Sequence, residues 1–448
     1  MFYKWLENCQ RRYAFIFAIF LMGFYLYVPT VSAATDFPAG MSLVAKDQKA
    51  ASRGVNVRGL DITWLKLPDR LNAYGASGYD SEESIFTIYA ASKSSYYCFA
   101  IDETGTIIIG DGYQHIGDFH DGIAEVDKYL PALKPGEFVT NVNKVVYGFI
   151  DKAGSEVIPL GKYDIRGEKS QEGLIMVEEK VDPGNQNPEG FRIGHIGYID
   201  TSANLVIPMI YDDADYFYEG LAAVRDPKTG LYGFIDKTGT VIIPMQYDRV
   251  NPFSSGLSFV EKGETYGFID QMGKMVLSVA QAQNAPLFSE GLAPIHIDDG
   301  GYGKTAYVDQ EGKTVIKPMD CYGGPFYDGV AVVSWNPDES DKTGKWIYPP
   351  IYQVLIDKKG NALVPKGTYA ITDNVQNGYV IAMKDPYGET MKFGVLNKDG
   401  KEVVPCKFSS ITHIAKGYCV VTVGDSLRPP IGILKIPGYE EVSKEPPH

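Results

Sequence analysis

The chain has 448 residues, with 42 Lys or Arg against 56 Asp or Glu, a net charge of −14. This acidic balance argues against nucleic acid and anionic membrane surfaces as partners, and 22% charged with 44% hydrophobic residues is the composition of an ordinary folded protein rather than a disordered one. Length alone suggests two or three domains, but the internal repetition described below overrides that count.

Lys4, Arg11 and Arg12 precede an apolar stretch from Tyr13 to Val28, and the small residues of Pro29-Thr-Val-Ser-Ala33 follow. This order predicts a secretory signal peptide over residues 1–33, cut after Ala33 or Ala34. The competing reading is an uncleaved anchor, because the apolar stretch nearly reaches the length a bilayer needs. Cleavage leaves 39 basic and 55 acidic residues, about −16 in charge. The expected location is secreted or cell-surface, with no membrane insertion after cleavage. Residues 36–83 follow no repeat, and their apolar residues are Leu60, Ile62, Trp64, Leu65 and Leu67. The end of a repeat array exposes an edge that needs cover, so this segment is expected to act as a cap with Trp64 packed on that edge.

Residues 84–442 divide into nine units, before a polar tail at 443–448. The clearest unit is Gly220 to Pro244: a run Gly220-Leu-Ala-Ala-Val224, a second run Tyr232-Gly-Phe-Ile-Asp236, a tight Lys-Thr-Gly turn, and a third run Thr240-Val-Ile-Ile-Pro244. Short β-branched and aromatic runs separated by Gly and Pro turns predict three β-strands per unit. The residue ending the second run recurs as Asp102, Asp151, Asp200, Asp236, Asp270, Asp309, Asp357, Asn397 and Lys435. From each of the first eight to the next first-strand Gly the chain advances 20 to 22 residues, whereas from Gly to the next Asp it advances 14 to 29. Length variation is therefore confined to the connection between first and second strands. Gly239, Gly312 and Gly400 supply the positive φ of a short hairpin. Pro159, Pro208, Pro244, Pro318, Pro365 and Pro405 are expected to end the third strand, since proline donates nothing to a ladder.

The runs Tyr232 to Pro244, Gln246-Tyr247-Asp248, Tyr211-Asp-Asp-Ala214 and Phe217-Tyr-Glu-Gly-Leu-Ala222 resemble the WG repeat family, and nine copies in phase make the resemblance specific over residues 84–442. The family's tryptophan is replaced here by Tyr147, Tyr232, Tyr266, Ile196 or Phe393. The resemblance implies repeats and no agreed activity. The fold expected is all-β, tandem three-stranded hairpin units in an open, curved solenoid; the alternative is a closed propeller-like ring, disfavoured because propellers have four to eight blades of four strands.

Candidate chemistry is sparse. His115 and His120 with Asp118 and Asp121 could ligate a metal in principle, but they align with a structural return of other units. Gly300-Gly-Tyr-Gly-Lys-Thr305 misses the first glycine of a phosphate loop, at Asp298, and leads into a strand. Tyr211-Asp-Asp-Ala-Asp215 lacks the glycine and Glu of a calcium loop. The column of Asp residues reads as turn acceptors. No catalytic residue, metal site or cofactor is assigned, and the chain is read as no enzyme. Cys98 and Cys321 take the places of apolar residues, while Cys406 and Cys419 are close enough in sequence to be weighed as a disulfide.

Function is expected on the variable connections, because per-repeat insertions gather on one face of an array. The long inserts, 127–146, 178–196 and 334–354, carry Tyr129, Phe138, Phe191, Arg192, Trp335, Trp346 and Tyr348, side chains of the kind that anchor interfaces and stack on sugars. The function expected is an exported, non-catalytic scaffold for a protein or cell-envelope partner; the alternative is a cell-wall glycan-binding module.

Overall fold

A computed structural model describes residues 39–48, 57, 59–67, 72–77, 83–91, 96–130, 144–179, 194–279, 287–297, 303–335, 353–365, 368–371, 375–384, 392–412, 414–424 and 429–439. The signal-peptide assignment and the polar tail lie outside them. Within them the chain forms nine small antiparallel sheets, here blades 1–9, seven of four strands and two of three. Blade 4 is representative: Asp213–Ala214, Leu221–Arg225, Tyr232–Asp236 and Val241–Tyr247 lie side by side in chain order. The last three are the predicted strands. The first, two residues long, lies inside the fixed-length return, where the Tyr-Asp-x-Ala run is too short to show a period.

The array is a closed ring, not an open solenoid. The ninth blade takes its outer strand from the other end of the chain: Asp61–Leu65 pairs antiparallel with Ile431–Lys435, from Asp61 opposite Lys435 to Leu65 opposite Ile431. Asn72–Ser77 then becomes the leading strand of blade 1. Residues 40–45 run across the seam, with Ile107 N–H donating to Met41 O in blade 1 and Lys66 N–H donating to Leu43 O beside blade 9. The residues expected to cap an open edge close the circle instead, and the fold is a nine-bladed β-propeller. Closure removes the end edges that a solenoid must cover.

Blades join through apolar faces. Leu221, Ala223 and Phe234 of blade 4 pack with Phe253 and Val260 of blade 5, while Ala222 and Val224 face Tyr198 and Phe217 on the side of blade 3. At four successive junctions a second-strand aromatic meets the return aromatic of the next blade edge-on: Tyr198 with Phe217, Phe234 with Phe253, Phe268 with Phe288 and Tyr307 with Phe326, at 4.7–5.0 Å between centroids. This is a favoured geometry for aromatic pairs.

A polar belt reinforces these junctions. Glu219 and Gly220 occupy the two left-handed positions of a tight hairpin, at φ 53° and 81°, and the first-position acid reaches into the following blade. There Gly173, Gly220, Gly256, Gly329 and Gly378 donate their main-chain N–H to Asp121, Glu172, Glu219, Glu290 and Asp328 respectively. Lys237 and Lys358 add ion pairs of 2.9 and 3.0 Å to Glu172 and Glu290. At the seam Lys152 of blade 2 and Lys416 of blade 9 both bind Glu83 of blade 1. Burial works to raise the Glu83 carboxyl, but the two lysines outweigh it and hold it below its ordinary value.

The recurrent Asp is a turn residue, as its spacing suggested. Asp236 Oδ1 accepts from the N–H of Thr238 and Thr240 at 2.9 and 3.0 Å, and Asp102, Asp151, Asp200, Asp270, Asp357 and Asn397 repeat the pattern. The recurrent proline departs from expectation: the third strand of blade 4 continues past exposed Pro244 to Tyr247. It can do so because this strand is the outer edge, and its register slips where proline sits: Phe234 opposes Ile243, yet Tyr232 opposes Tyr247.

That bulge explains the glycine of each Tyr-Gly pair. A Cβ on Gly233 would stand 2.5 Å from Ile243 O and 2.8 Å from Pro244 C, and Gly197 and Gly394 meet the same obstruction. In blade 6 the position is Ala306, and there the bulge is one residue shorter, Thr305 opposing Met319 and Tyr307 opposing Ile316. Gly233→Ala is expected to cost about 1–3 kcal/mol by forcing backbone apart, read as a lower denaturant midpoint. Gly256→Ala is the contrasting case, since no atom lies within 4 Å of its Cβ and only the cost of its φ of 75° remains.

Candidate functional site

All first-to-second-strand connections leave one face of the ring, because every blade is the same meander. Near this rim the fifth residue of the first strand stands opposite the second-strand aromatic that replaces tryptophan: Asp127 with Tyr147, Arg225 with Tyr232, Glu261 with Tyr266, Met383 with Phe393. The aromatic replacing the family's tryptophan therefore lies at the rim. In blade 4 Tyr232 Oη donates to Asp213 Oδ2 at 2.5 Å, and Arg225 Nε donates to Asp212 Oδ1 at 2.9 Å. Burial and the bond to Asp213 push the Tyr232 phenol up to about 12. Partners within the blade thus occupy the acidic run that was weighed as a calcium loop.

Of the insert residues singled out, Tyr129 is half-buried, with its N–H bonded to Gln114 Oε1 at 3.1 Å. Trp335 ends a strand opposite Cys321. Phe138, Phe191, Arg192, Trp346 and Tyr348 lie outside the described residues. Cys406 and Cys419 are free, which corrects the disulfide considered for them. They belong to different blade junctions: Cys419 packs with Val404 and Phe408 between blades 8 and 9, whereas Cys406 packs on the cluster shared by blades 7 and 8, with Sγ 3.6 Å from Ala382 O. Burial, then the Glu402 charge, raises the Cys406 thiol to about 11, and burial raises Cys98 and Cys419 as well.

The polar group that sequence reading passed over lies between blades 2 and 3. Aligning the nine first strands by register, the third position holds Thr87, Glu125, Met176, Ala223, Phe259, Pro294, Val332, Ile381 and Val420. Glu125 alone is charged. It shares its face with Ile123 and Phe149, which pack on Ile175 and Val177 of blade 3, and it is 8% exposed. Asp127, two residues on, has a buried Oδ1 without a hydrogen-bond partner. Exposed Glu168 comes from the return of blade 3, and its N–H is fixed by Tyr216 Oη at 3.0 Å.

Burial, then the charges of Glu168 and Asp127, pushes the Glu125 carboxyl up to about 8. Burial also raises Asp127, against the opposing pull of the His115 ring and main chain. Tyr147, 37% exposed, is raised by burial and by Asp127, Glu125, Tyr129 and Glu168. His115 faces the other way as well, with Nδ1 2.6 Å from Tyr89 Oη and the rings stacked. His120 is buried, and Asp121 Oδ2 accepts from Ser170 Oγ. Among the described residues no three His, Cys, Asp or Glu are arranged to hold a metal ion. The unit alignment could have singled out Glu125, a charge in a column of otherwise uncharged residues.

No curated protein matches the chain in sequence. Among solved structures it is similar to an uncharacterized protein, lmo1340, from Listeria monocytogenes EGD-e, at 13% identity over 67% of this chain and 96% of that one, TM-score 0.33. It is also similar to the β-propeller domain of the Trilobed protease from Pyrococcus furiosus, at 12% identity over 76% and 96%, TM-score 0.36. The family described as WG containing repeat matches residues 147–179, 196–226, 232–266 and 393–425. These windows run from second strands into the following first strands and, in three of the four, begin at the rim aromatic that stands for tryptophan, Tyr147, Tyr232 and Phe393. The bulge glycine, the turn Asp and the acid-Gly hairpin recur around the ring, and the four matched segments of the chain are WG repeats.

Proposed function

We propose that the protein is an exported, non-catalytic scaffold that holds a protein or cell-envelope partner on the face from which the long inserts emerge. The observation carrying this reading is geometric. The strand ends that bracket the inserts, Leu130 and Lys144 in blade 2, Glu178 and Ile196 in blade 3, and Trp335 and Gln353 in blade 7, all open on one side of a closed disc. Closure leaves the partner a single rim instead of an extendable edge. The recurrent carboxylates are meanwhile engaged in turns and blade junctions, which supports binding over catalysis. Glycan binding is the second reading, favoured by the half-exposed rim tyrosines Tyr147, Tyr232 and Tyr266. Against it, the aromatics that pair between blades, such as Tyr198, Phe217, Phe234 and Phe253, are buried.

The test is capture from separated cell-envelope fractions by the chain from Asp36 onward, beside a variant with Trp335→Ala, Trp346→Ala and Tyr348→Ala. Loss of at least about tenfold in capture places recognition on the inserts. Capture of a purified wall polymer alone selects the glycan reading, and equal capture by both proteins overturns the insert assignment.

A further inference from the structure

We propose that the junction of blades 5 and 6, at Ser255, Gln310 and Gly291, binds an aliphatic carboxylate from outside the chain. The site lies on the face opposite the inserts and goes beyond the scaffold reading. Its template is the neighbouring junction. There Glu219 Oε2 accepts from Gly256 N–H at 2.9 Å, and Gln271 Nε2, from the turn of blade 5, lies 3.4 Å from both Glu219 O and Oε2. One junction on, Gln310 holds the place of Gln271 and Gly291 that of Gly256, with Gln310 Nε2 donating to Ser255 O at 2.8 Å. Ser255 keeps the left-handed φ of Glu219, 53° in each, but brings no carboxylate. Among the described residues the Gly291 N–H donates to no acceptor, and Gln310 Nε2 keeps a second hydrogen.

The other breaks in the belt are filled by the chain itself. Lys416, at the acid position of blade 9, pairs with Glu83 at 3.1 Å. At the junction of blades 8 and 9 Asn377 replaces the acid, and there the Tyr439 ring covers Gly417 and would collide with any Cβ on it, whereas nothing lies within 4 Å of a Cβ on Gly291. Ser255 and Gln310 also border a cavity of about 550 Å³, with Gly256, Leu257, Val276 and Glu311. Val276 is 46% exposed, and with Leu257 it offers an apolar wall to a methylene chain. Exposed Glu311 disfavours a bare anion, so the occupant is held by its chain and by charge-assisted hydrogen bonds from the two donors. A glutamate side chain of a partner protein and a free short-chain carboxylic acid share this chemistry.

The test is a nuclear magnetic resonance titration of the full chain, labelled at glycine nitrogen, near neutral pH with butyrate, with the capped tripeptide acetyl-Gly-Glu-Gly-amide and with inorganic phosphate. The Gly291 amide signal, identified by its absence in Gly291→Asn, reports binding. Saturable movement of this signal by butyrate or the tripeptide is expected, weakened at least about tenfold in Q310E, whose added charge repels the ligand. In Ser255→Glu, which copies Glu219, the signal should already stand at its bound position, no probe should move it, and the denaturant midpoint should rise. Tighter binding of the tripeptide identifies a partner's glutamate as the source, and tighter binding of butyrate a free acid. Phosphate acting as well as either probe overturns the chemistry. Absence of saturation, or saturation unchanged in both variants, overturns the site whatever the envelope capture shows.

Discussion

Replacing Trp64 with alanine is expected to destabilise the protein by about 3–5 kcal/mol, the cost of deleting a buried aromatic core residue, and to open the ring at its seam. Trp64 is 4% exposed and packs with Phe408, Cys419, Val421 and Leu434. It sits opposite Gly432, where an added Cβ would meet Ile62 Cγ2 at 2.5 Å and Trp64 Cε3 at 3.0 Å, so the ninth blade has reserved space for this strand. Its main chain is held from outside as well: Trp64 N–H donates to Gln48 Oε1 and Trp64 O accepts from Ala45 N–H. The five-residue pairing joins residues more than 360 positions apart, and such long-range closure carries a large entropic cost. Loss of its main apolar anchor should therefore free the N-terminal segment before the blades unfold. The expected readouts are a lower denaturant midpoint and new proteolytic cuts between Leu67 and Glu83. An unchanged midpoint with no new cuts would mean that the ring closes without Trp64.

The repeat was legible in sequence because its signals are local. Strand runs, turn glycines and the Asp acceptor each act within a few residues, and the fixed step from Asp to Gly set their phase. Closure was not legible, since Asp61–Leu65 has no partner nearby in the chain and its alternation matches any covered strand. The leading strand, two residues long, is below the length at which a period can be seen. Proline was misplaced at the strand end because its effect on a ladder depends on which side has a neighbour, and that is a property of the sheet. The rim was legible as the place where lengths vary, yet the acid pair within it was not. Glu125 looks like one polar residue in an alternating strand until the register places it on the face packed against blade 3.

Glu125 also predicts a pH dependence of unusual sign. Its carboxyl, raised to about 8 in the folded protein from an ordinary value of 4.5, binds its proton more tightly when folded. The native state thus holds more protons than the unfolded chain between those two values, and stability falls as pH rises through that window. One such group contributes a slope of about 1.4 kcal/mol per pH unit, summing to on the order of 5 kcal/mol across the window. Asp127, also raised, adds in the same direction. Below the window both states are protonated and the penalty vanishes; above about 8 it is complete and the curve flattens. Glu125→Met, which copies Met176 at the same position in blade 3, should remove most of this slope and raise stability at pH 8 by about 3–4 kcal/mol, leaving it nearly unchanged at pH 4.5. Denaturant unfolding of parent and variant across this range is the measurement. Parallel curves would show that Glu125 ionises as freely in the fold as in water.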